Sequence, residues 1–288
     1  MGYDVVMSAG IPIATIMPVA PTARQTLGDH LRFWRERRRM SQLALAAEAG
    51  ISSRHLSFLE TGRSRASREM VRHLAECLNV PLRARNPLLI AAGFSPAYPE
   101  RSFDDPELRG ARRAVDLILA GHEPFPALAI DRHWTLITAN AVGTRLLGAL
   151  DVAPALLEPR PNLMRLVLHP DGMGRQIVNL PQLRHHLLER LRAQVEISAD
   201  PVLAGLFDEL RGSVVDADVG PDRAARDEFG GIAVPFVLRI GDDTLSFIST
   251  TTVFGSPVDI TLSELAIETF FPLDAATGEA LRRIAGRE

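Results

Sequence analysis

Small and apolar residues within residues 42–61 recur at a spacing that fits two short helices crossing at a tight bend. Counted from residue 42, Ala46 falls where the two helices pack most closely, and Gly50 falls at the bend. A steep crossing needs a small residue at the contact, and glycine adopts the left-handed conformation of such a bend at little cost. Leu56 and Leu59 take the core positions of the second helix. The spacing therefore predicts a helix-turn-helix unit, whose second helix can enter a DNA major groove.

Further amphipathic helices flank this unit on both sides. Leu27, Leu31 and Trp34 recur at i, i+4 and i+7, the period of a helix with one buried side. Pro87 cannot continue a helix without losing a hydrogen bond, so we expect a restart there with Asn86 as the cap, ending at Gly93. The expected starts of the other helices are Ser41, Ser52, Ser67 and Pro81. An all-α domain of five short helices over residues 24–93 is the resulting prediction.

The charge of the chain is divided unequally between its two parts. Residues 24–101 carry 14 Arg and 7 acidic residues, whereas the rest of the chain carries 18 Arg and 28 acidic residues. The balance is thus +7 against −10, and the sum is the net charge of −3. Such asymmetry is typical of a protein in which one module docks on phosphates. A solvated charged face is the simpler alternative.

The remaining composition excludes several classes of protein. A single cysteine, Cys77, is incompatible with a disulfide framework or a thiol-rich zinc site, and no run of about 18 apolar residues occurs. Residues 1–23 lack a cationic start and contain Pro12 and Pro18, so we do not expect a secretion signal. We expect a disordered extension, or a start codon placed too early with Met7 or Met17 as the true start. We therefore expect a cytoplasmic protein that needs no metal or other cofactor.

Residues 94–110 are expected to link the helical domain to a second domain, residues 111–288, because they combine three prolines with an acidic pair. In the second domain, strand patterns lie at both ends and helical patterns lie between them. The expected strands are residues 127–130, 134–138, 232–240, 244–254 and 265–273. The expected helices begin after Asn140, near Leu183, at Pro201 and at Asp274. This order predicts an α+β domain built on one mainly antiparallel sheet.

The region from Leu27 to Gly93 resembles the XRE family of Cro-like and phage-repressor-like helix-turn-helix domains. The stretches that carry the resemblance are Gln-Leu-Ala-Leu-Ala at 42–46, Ala-Gly-Ile-Ser at 49–52 and Leu-Glu-Thr-Gly-Arg at 59–63. The resemblance also implies that Arg35 pairs with Glu60, which ends the recognition helix. We interpret that pair as structural.

The resemblance further implies which residues contact DNA. Arg54 is the main candidate for reading a base, because a guanidinium can hold guanine O6 and N7 with two hydrogen bonds. Ser53, Ser57 and Phe58 share its outer helix face, and His55 is a weaker candidate that can equally be an ordinary surface histidine. Gln42, Arg63 and Arg65 are expected to contact phosphates, which sets affinity and salt sensitivity rather than sequence choice.

Residues 110 to about 273 resemble the MmyB-like ligand-binding domain, a PAS-related module. The stretches that carry this resemblance are residues 122–127, 131–140 and 168–172. It implies a sheet flanked by helices around an apolar cavity, and fatty acids are among the ligands of the family. Apolar residues that can line such a cavity, or simply fill a core, are Trp134, Leu146, Leu147, Met164, Leu168, Phe236, Phe247 and Phe270. Arg165 and His169 are candidate anchors for a carboxylate, or else surface residues.

The function predicted from these features is a one-component regulator that binds an operator as a homodimer and senses a small apolar ligand. Catalytic motifs such as a phosphate loop, a Gly-x-Ser-x-Gly elbow or a His-Glu-x-x-His helix do not occur, so we do not expect an enzyme. His185 and His186 are adjacent on a helix and cannot face one metal together in the i, i+4 manner. An antitoxin or adaptor that uses its C-terminal half for protein contacts stays open as an alternative.

Overall fold

A computed structural model describes residues 25–212, 233–255 and 259–286. The expected disordered extension at residues 1–23 lies outside these ranges, as does Ile232, the expected start of the third strand. In the parts described, no helix is long and apolar enough to cross a membrane.

Five helices form the N-terminal part around one apolar core. They are α1 (Leu27–Arg37), α2 (Gln42–Glu48), α3 (Ser53–Glu60), α4 (Arg68–Cys77) and α5 (Leu82–Ala91). The serine caps are confirmed, because Ser41, Ser52 and Ser67 each accept a hydrogen bond from the backbone three residues ahead. Gly50 has a φ of 65°, as the predicted bend requires.

The expected break at Pro87 is wrong, because α5 continues through this residue. Leu88 and Leu89 follow it directly and are buried in the helical core, so packing of the last turn compensates for the missing hydrogen bond. Asn86 does not cap a helix. Its side chain donates to the carbonyl of Tyr98 (2.7 Å) and accepts from the amide of Ala97 (3.0 Å), which fixes the following segment against α5.

The C-terminal part is an α+β structure with a five-stranded antiparallel sheet. Its strands are β1 (Ala127–Ile130), β2 (Leu136–Ala139), β3 (Phe236–Ile240), β4 (Asp243–Val253) and β5 (Ala266–Pro272), in the order β2-β1-β5-β4-β3. The helices within the described residues of this part are α6 (Arg109–Gly121), α7 (Ala141–Gly148), α8 (Leu163–Leu168), α9 (Leu180–Ser198), α10 (Pro201–Gly212), α11 (Ile260–Ser263) and α12 (Ala275–Ala285). Three short 3-10 helices precede α6, α8 and α9. The predicted fold class is confirmed for both parts of the chain.

The second strand begins later than the sequence predicts. Trp134 is not in a strand but in the turn before β2, with a φ of 67°. The carboxylate of Asp131 accepts hydrogen bonds from the amides of His133 (2.8 Å) and Thr135 (2.9 Å), which curls the backbone tightly at this point. The indole of Trp134 is consequently buried beneath α9 rather than paired in the sheet.

The two faces of the sheet have different neighbours. Ala129 of β1 and Ile267 of β5 pack against Val115 and Leu119 of α6. Side chains of adjacent strand residues point to opposite faces. The other face, which includes Phe270 of β5, therefore points toward the helices that follow β2.

Candidate DNA-binding face and ligand cavity

The predicted pair of Arg35 and Glu60 joins α1 to the end of α3. Arg35 donates from Nε to Oε1 (2.6 Å) and from Nη2 to Oε2 (3.0 Å), so the guanidinium holds both carboxylate oxygens. The side chains are 11% and 0% exposed. Burial alone would raise the pKa of Glu60, but hydrogen bonds from Arg35 and Gln42, with the nearby charges of Arg35 and Arg32, lower it below its usual value.

A close approach of α1 and α3 brings this pair together. Gly28 of α1 is buried against the backbone of Glu60, and a Cβ at this position would overlap the Glu60 carbonyl oxygen. Ala46 of α2 is buried at the predicted helix contact. The small residues Gly28 and Ala46 allow the helices to pack closely, and this close packing fixes the position of α3 in the bundle.

The recognition helix α3 exposes part of its outer face. Ser53 and Arg54 are exposed, whereas His55, Ser57 and Phe58 are partly buried. The guanidinium carbons of Arg54 and Arg63 lie 5.3 and 6.0 Å from the centre of the Phe58 ring, so the ring is stacked with two cations. Arg63 and Arg65 are exposed beyond the end of α3.

Gln42 is placed differently from the other predicted phosphate contacts. Its Nε2 atom donates to Oε2 of Glu60 (2.7 Å), so the side chain completes the Arg35–Glu60 pair. Gln42 is the first residue of α2, directly after the N-cap residue Ser41, so its backbone amide lies at the N-terminus of this helix.

An apolar cavity of about 350 Å³ lies between the sheet and the helices α7, α8 and α9. It is lined by seven of the ten residues predicted for ligand binding, which are Trp134, Leu146, Leu147, Met164, Phe236, Phe247 and Phe270. The rings of Phe236, Phe247 and Phe270 are in mutual contact, with centroids 6.0 to 6.2 Å apart. Phe247 lies opposite Phe236 in the register of β3 and β4, and Phe270 of β5 lies opposite Ser249, two residues after Phe247. Residues that are opposite each other, or two apart in one strand, point to the same face, so the three rings lie on one side of the sheet.

The three other predicted ligand residues lie elsewhere. Arg165 forms two hydrogen bonds with the carboxylate of Glu209, at 2.8 and 2.7 Å, and is partly exposed. Leu168 and His169 border a separate, smaller hollow beside Arg175 and Arg184.

The polar end of the cavity consists of residues that sequence reasoning did not assign to it. Arg190 of α9 donates from Nη2 to Oε1 of Glu268 (2.6 Å) and to Oγ1 of Thr251 (2.7 Å). Thr251 in turn donates to the same carboxylate oxygen (2.8 Å), as their opposed positions in β4 and β5 allow. His186 lines the cavity one turn before Arg190. Burial lowers the pKa of this imidazole, and the positive charge of Arg190 lowers it further.

Two signals in the sequence point to this polar end. His186 and Arg190 are spaced i, i+4 on a helix whose apolar residues Leu183 and Leu187 share the cavity side. Glu268 is a single charge within the otherwise apolar and β-branched strand β5. A charge at the core of a strand needs a partner, and the sequence alone does not show which arginine supplies it.

Direct contacts connect the helical part with the C-terminal part. Arg37 at the end of α1 donates to the carbonyl oxygens of Val195 and Glu196 in the last turn of α9, the latter at 2.6 Å. Arg83 of α5 donates to both carboxylate oxygens of Glu264, at 2.8 and 2.9 Å. The helix that lines the cavity therefore touches the helical bundle at its other end.

Among the residues with described positions, no group of three or more His, Cys, Asp and Glu could hold a metal ion. The ionisable side chains among the described lining residues are the Arg190–Glu268 ion pair and His186, which suits recognition of a polar atom at one end of an apolar molecule.

Comparisons with known proteins match both parts of the chain to known domain families. The family described as MmyB-like transcription regulator ligand binding domain matches residues 111–284, more than half of the chain. A helix-turn-helix domain family matches residues 26–88. No curated protein matches the chain.

One solved structure that matches is titled "Structure of an RNA-binding Light-Oxygen-Voltage Receptor", with 12% sequence identity and a TM-score of 0.23. The match covers 89% of this chain and 60% of that one, and a likeness this distant supports no conclusion about function. The two family matches cover most of the five-helix bundle and the whole five-stranded sheet. This chain belongs to the family of transcription regulators that carry an MmyB-like ligand-binding domain behind a helix-turn-helix domain.

Proposed function

We propose that this regulator binds a specific DNA sequence through α3 and changes its DNA affinity when a small apolar ligand occupies the cavity. The observation that carries the proposal is the cavity itself. Its volume of about 350 Å³ falls within the range of about 300 to 1,000 Å³ that is usual for small-molecule sites. Its walls are aromatic and aliphatic, and its polar groups are gathered at Arg190 and Glu268.

The resemblance to the family makes a fatty-acid-like chain the first ligand class to test. Apolar walls such as Leu147, Met164 and Phe247 favour an alkyl chain through burial, at about 25 cal/mol per Å² of apolar surface. The polar end then fixes the direction in which the chain enters. We propose a binding role for this cavity rather than a catalytic one.

The exposed arginines support the DNA-binding half of the proposal. Arg54 is exposed on α3, and Arg63 and Arg65 are exposed beyond its end. In this proposal Arg54 reads a base, while Arg63 and Arg65 contact phosphates. Gln42 would reach a phosphate through its backbone amide, since its side chain is engaged with Glu60. A homodimer is part of the proposal, because one recognition helix contacts too few bases for useful selectivity. Sedimentation of the full chain tests it, and a monomer at high concentration would refute it.

Regulation requires that the ligand bind two arrangements of the protein unequally, typically by about 1 to 3 kcal/mol. Helix α9 supports this linkage, because His186 and Arg190 line the cavity and the last turn of the same helix accepts hydrogen bonds from Arg37. A shift of α9 on ligand binding would move the contact with α1.

Fluorescence provides a direct test of ligand binding. The chain has two tryptophans, and Trp134 lines the cavity whereas Trp34 is in the helical core. In a Trp34→Phe variant, saturated fatty acids and their neutral derivatives are titrated while the emission of Trp134 is followed. Saturable quenching or enhancement supports the proposal.

Two matched variants show where the ligand binds. Leu147→Trp fills the cavity and should abolish binding measured by calorimetry. Leu117→Trp places the same side chain on the exposed face of α6 and should leave binding unchanged. Equal binding by both variants would contradict the assigned site. No binding of any probe to the unmodified chain would favour a protein-contact role for this half.

A further inference from the structure

The positive charge at the polar end of the cavity is already neutralised by the protein. Nη2 of Arg190 lies 2.6 Å from Oε1 of Glu268, and the Glu268 side chain is only 4% exposed. The guanidinium also lies over the Trp134 ring, with its central carbon 4.4 Å from the ring centroid. Stacking and the ion pair together fix this side chain in place.

The charges of the described residues that line the cavity sum to zero. Of the described lining residues, Arg190, Glu268 and His186 are those that can carry charge. Burial and the nearby Arg190 lower the pKa of His186, which favours the neutral form of this imidazole. The described lining residues therefore include one cation and one anion, which are bound to each other.

Arg190 nevertheless keeps hydrogen-bond donors for a ligand. Its described hydrogen bonds both leave from Nη2, to Glu268 and to Thr251. A guanidinium carries five N–H groups, so Nε and Nη1 can still donate. The site thus offers donors without net positive charge.

We propose that the cavity selects apolar ligands whose polar end is uncharged and bears an acceptor oxygen, such as an alcohol, ketone, ester or amide. Glu268 is then the residue that disfavours a free carboxylate. This inference rests on the proposed function, since it concerns which apolar ligand the same cavity accepts.

Electrostatics gives the physical reason. A ligand carboxylate near Nε or Nη1 would add a second anion beside Glu268 and leave the site with one negative charge. Like charges brought together in a partly buried site repel each other, because little water is present to screen them. A neutral carbonyl or hydroxyl oxygen gains the same hydrogen bonds without this repulsion.

The test uses four probes with one alkyl chain, namely decanoate, decanol, methyl decanoate and decanamide. Their affinities for the full-length protein are measured by calorimetry at neutral pH, below the concentrations at which they form micelles. We expect the best neutral probe to bind at least about tenfold more tightly than decanoate.

A specificity switch adds a second readout. Glu268→Gln retains oxygen and nitrogen atoms for Arg190 and Thr251 but removes the negative charge, so the affinity for decanoate should rise about tenfold while that for decanol changes little. Glu196→Gln is the matched control, because it removes an exposed carboxylate from α9 outside the cavity. It should leave the ratio of the affinities for decanoate and decanol unchanged.

The outcomes separate the two proposals. Decanoate binding to the unmodified protein as tightly as the neutral probes would overturn the inference and leave the apolar-ligand function standing. Failure of all four probes to bind would overturn the proposed ligand class, and the inference with it. If Glu268→Gln does not fold, the comparison of probes on the unmodified protein still decides.

Discussion

Nε of Arg37 lies 2.6 Å from the carbonyl oxygen of Glu196, a hydrogen bond between residues 159 positions apart in the chain. Arg37 ends the first helix of the DNA-binding bundle, and Glu196 is in the last turn of α9. A cation at a helix C-terminus binds carbonyls that lack partners within the helix and is favoured by the helix dipole. Arg37 thus joins the bundle to the helix that carries Arg190, and its neighbour Arg38 adds a hydrogen bond from Nη2 to the carbonyl oxygen of Ile197 (3.0 Å).

Arg37→Ala should loosen the last turn of α9. The substitution removes the Arg37 donors to Val195 and Glu196 and leaves the Arg38 contacts with Glu196 and Ile197. Amide hydrogens in residues 195–199 should therefore exchange faster in the full-length protein. Hydrogen exchange with mass spectrometry measures this effect.

Arg72→Ala is the control for this prediction. Arg72 is exposed on α4, and its substitution also removes one positive charge from the bundle. Exchange in α9 should be unaffected by it. If Arg37→Ala leaves exchange in α9 unchanged as well, the contact has no measurable role in holding the helix.

Glu60→Ala should destabilise the helical bundle and weaken DNA binding together. It leaves the guanidinium of Arg35 buried without its partner, which costs about 3 to 5 kcal/mol when a buried pair is broken. Thermal unfolding and binding to duplex DNA are the two measurements. Glu36→Ala, which removes an exposed carboxylate near Arg35, should have little effect. An unchanged melting temperature for Glu60→Ala would show that the pair is not structural.

The same pair predicts a pH dependence. Because the pKa of Glu60 is lower in the folded protein than in the unfolded chain, its charged form stabilises the fold. This contribution is complete above the unfolded value of about 4.3 and is lost as pH falls through the lowered folded value. The stability difference between the unmodified chain and Glu60→Gln, measured by urea unfolding, should therefore shrink below about pH 4.3. A difference that stays constant down to pH 2 would contradict the pKa shift.

Arg54 and Arg63 should affect DNA binding in different ways. After an operator has been selected from random duplexes, Arg54→Ala should reduce discrimination at one base pair by about 1 to 3 kcal/mol. Arg63→Ala should weaken binding to all sequences alike and make its salt dependence less steep by about one unit. Fluorescence anisotropy over a range of salt concentrations separates the two effects. Identical effects from both substitutions would contradict these assignments.

Local signals predicted the helical bundle well. Serine caps, the turn at Gly50 and the Arg35–Glu60 pair depend on residues that are close in the chain or fixed by the motif, and each is present as expected. Gly28 was not predicted, because its role depends on a contact between α1 and α3 that no periodicity records.

The apolar part of the cavity could also be predicted from the sequence, whereas its polar end could not. Trp134, Met164 and Phe247 were identified as large apolar residues in the matching region, and they line the cavity. Arg190 and Glu268 lie 78 positions apart and meet only when α9 packs against β5. Arg165 had an equally plausible pattern, yet it pairs with Glu209 outside the cavity.

The deviations at Pro87 and Trp134 have a common cause. At each position, contacts made by neighbouring side chains outweigh the secondary structure that the local sequence favours. Burial of Leu88 keeps α5 continuous, and the Asp131 carboxylate holds Trp134 in a turn. Local propensity is a weak predictor where such contacts form.

Native mass spectrometry of the purified full-length protein, followed by denaturing extraction, tests the central claim most directly. We expect a small apolar molecule to accompany the protein and to be absent from the Leu147→Trp variant, in which the cavity is filled. The same spectrum reports the oligomeric state. A protein that carries no such molecule, and that gains no thermal stability from fatty acids or their neutral derivatives, would contradict the claim that the C-terminal half senses an apolar ligand.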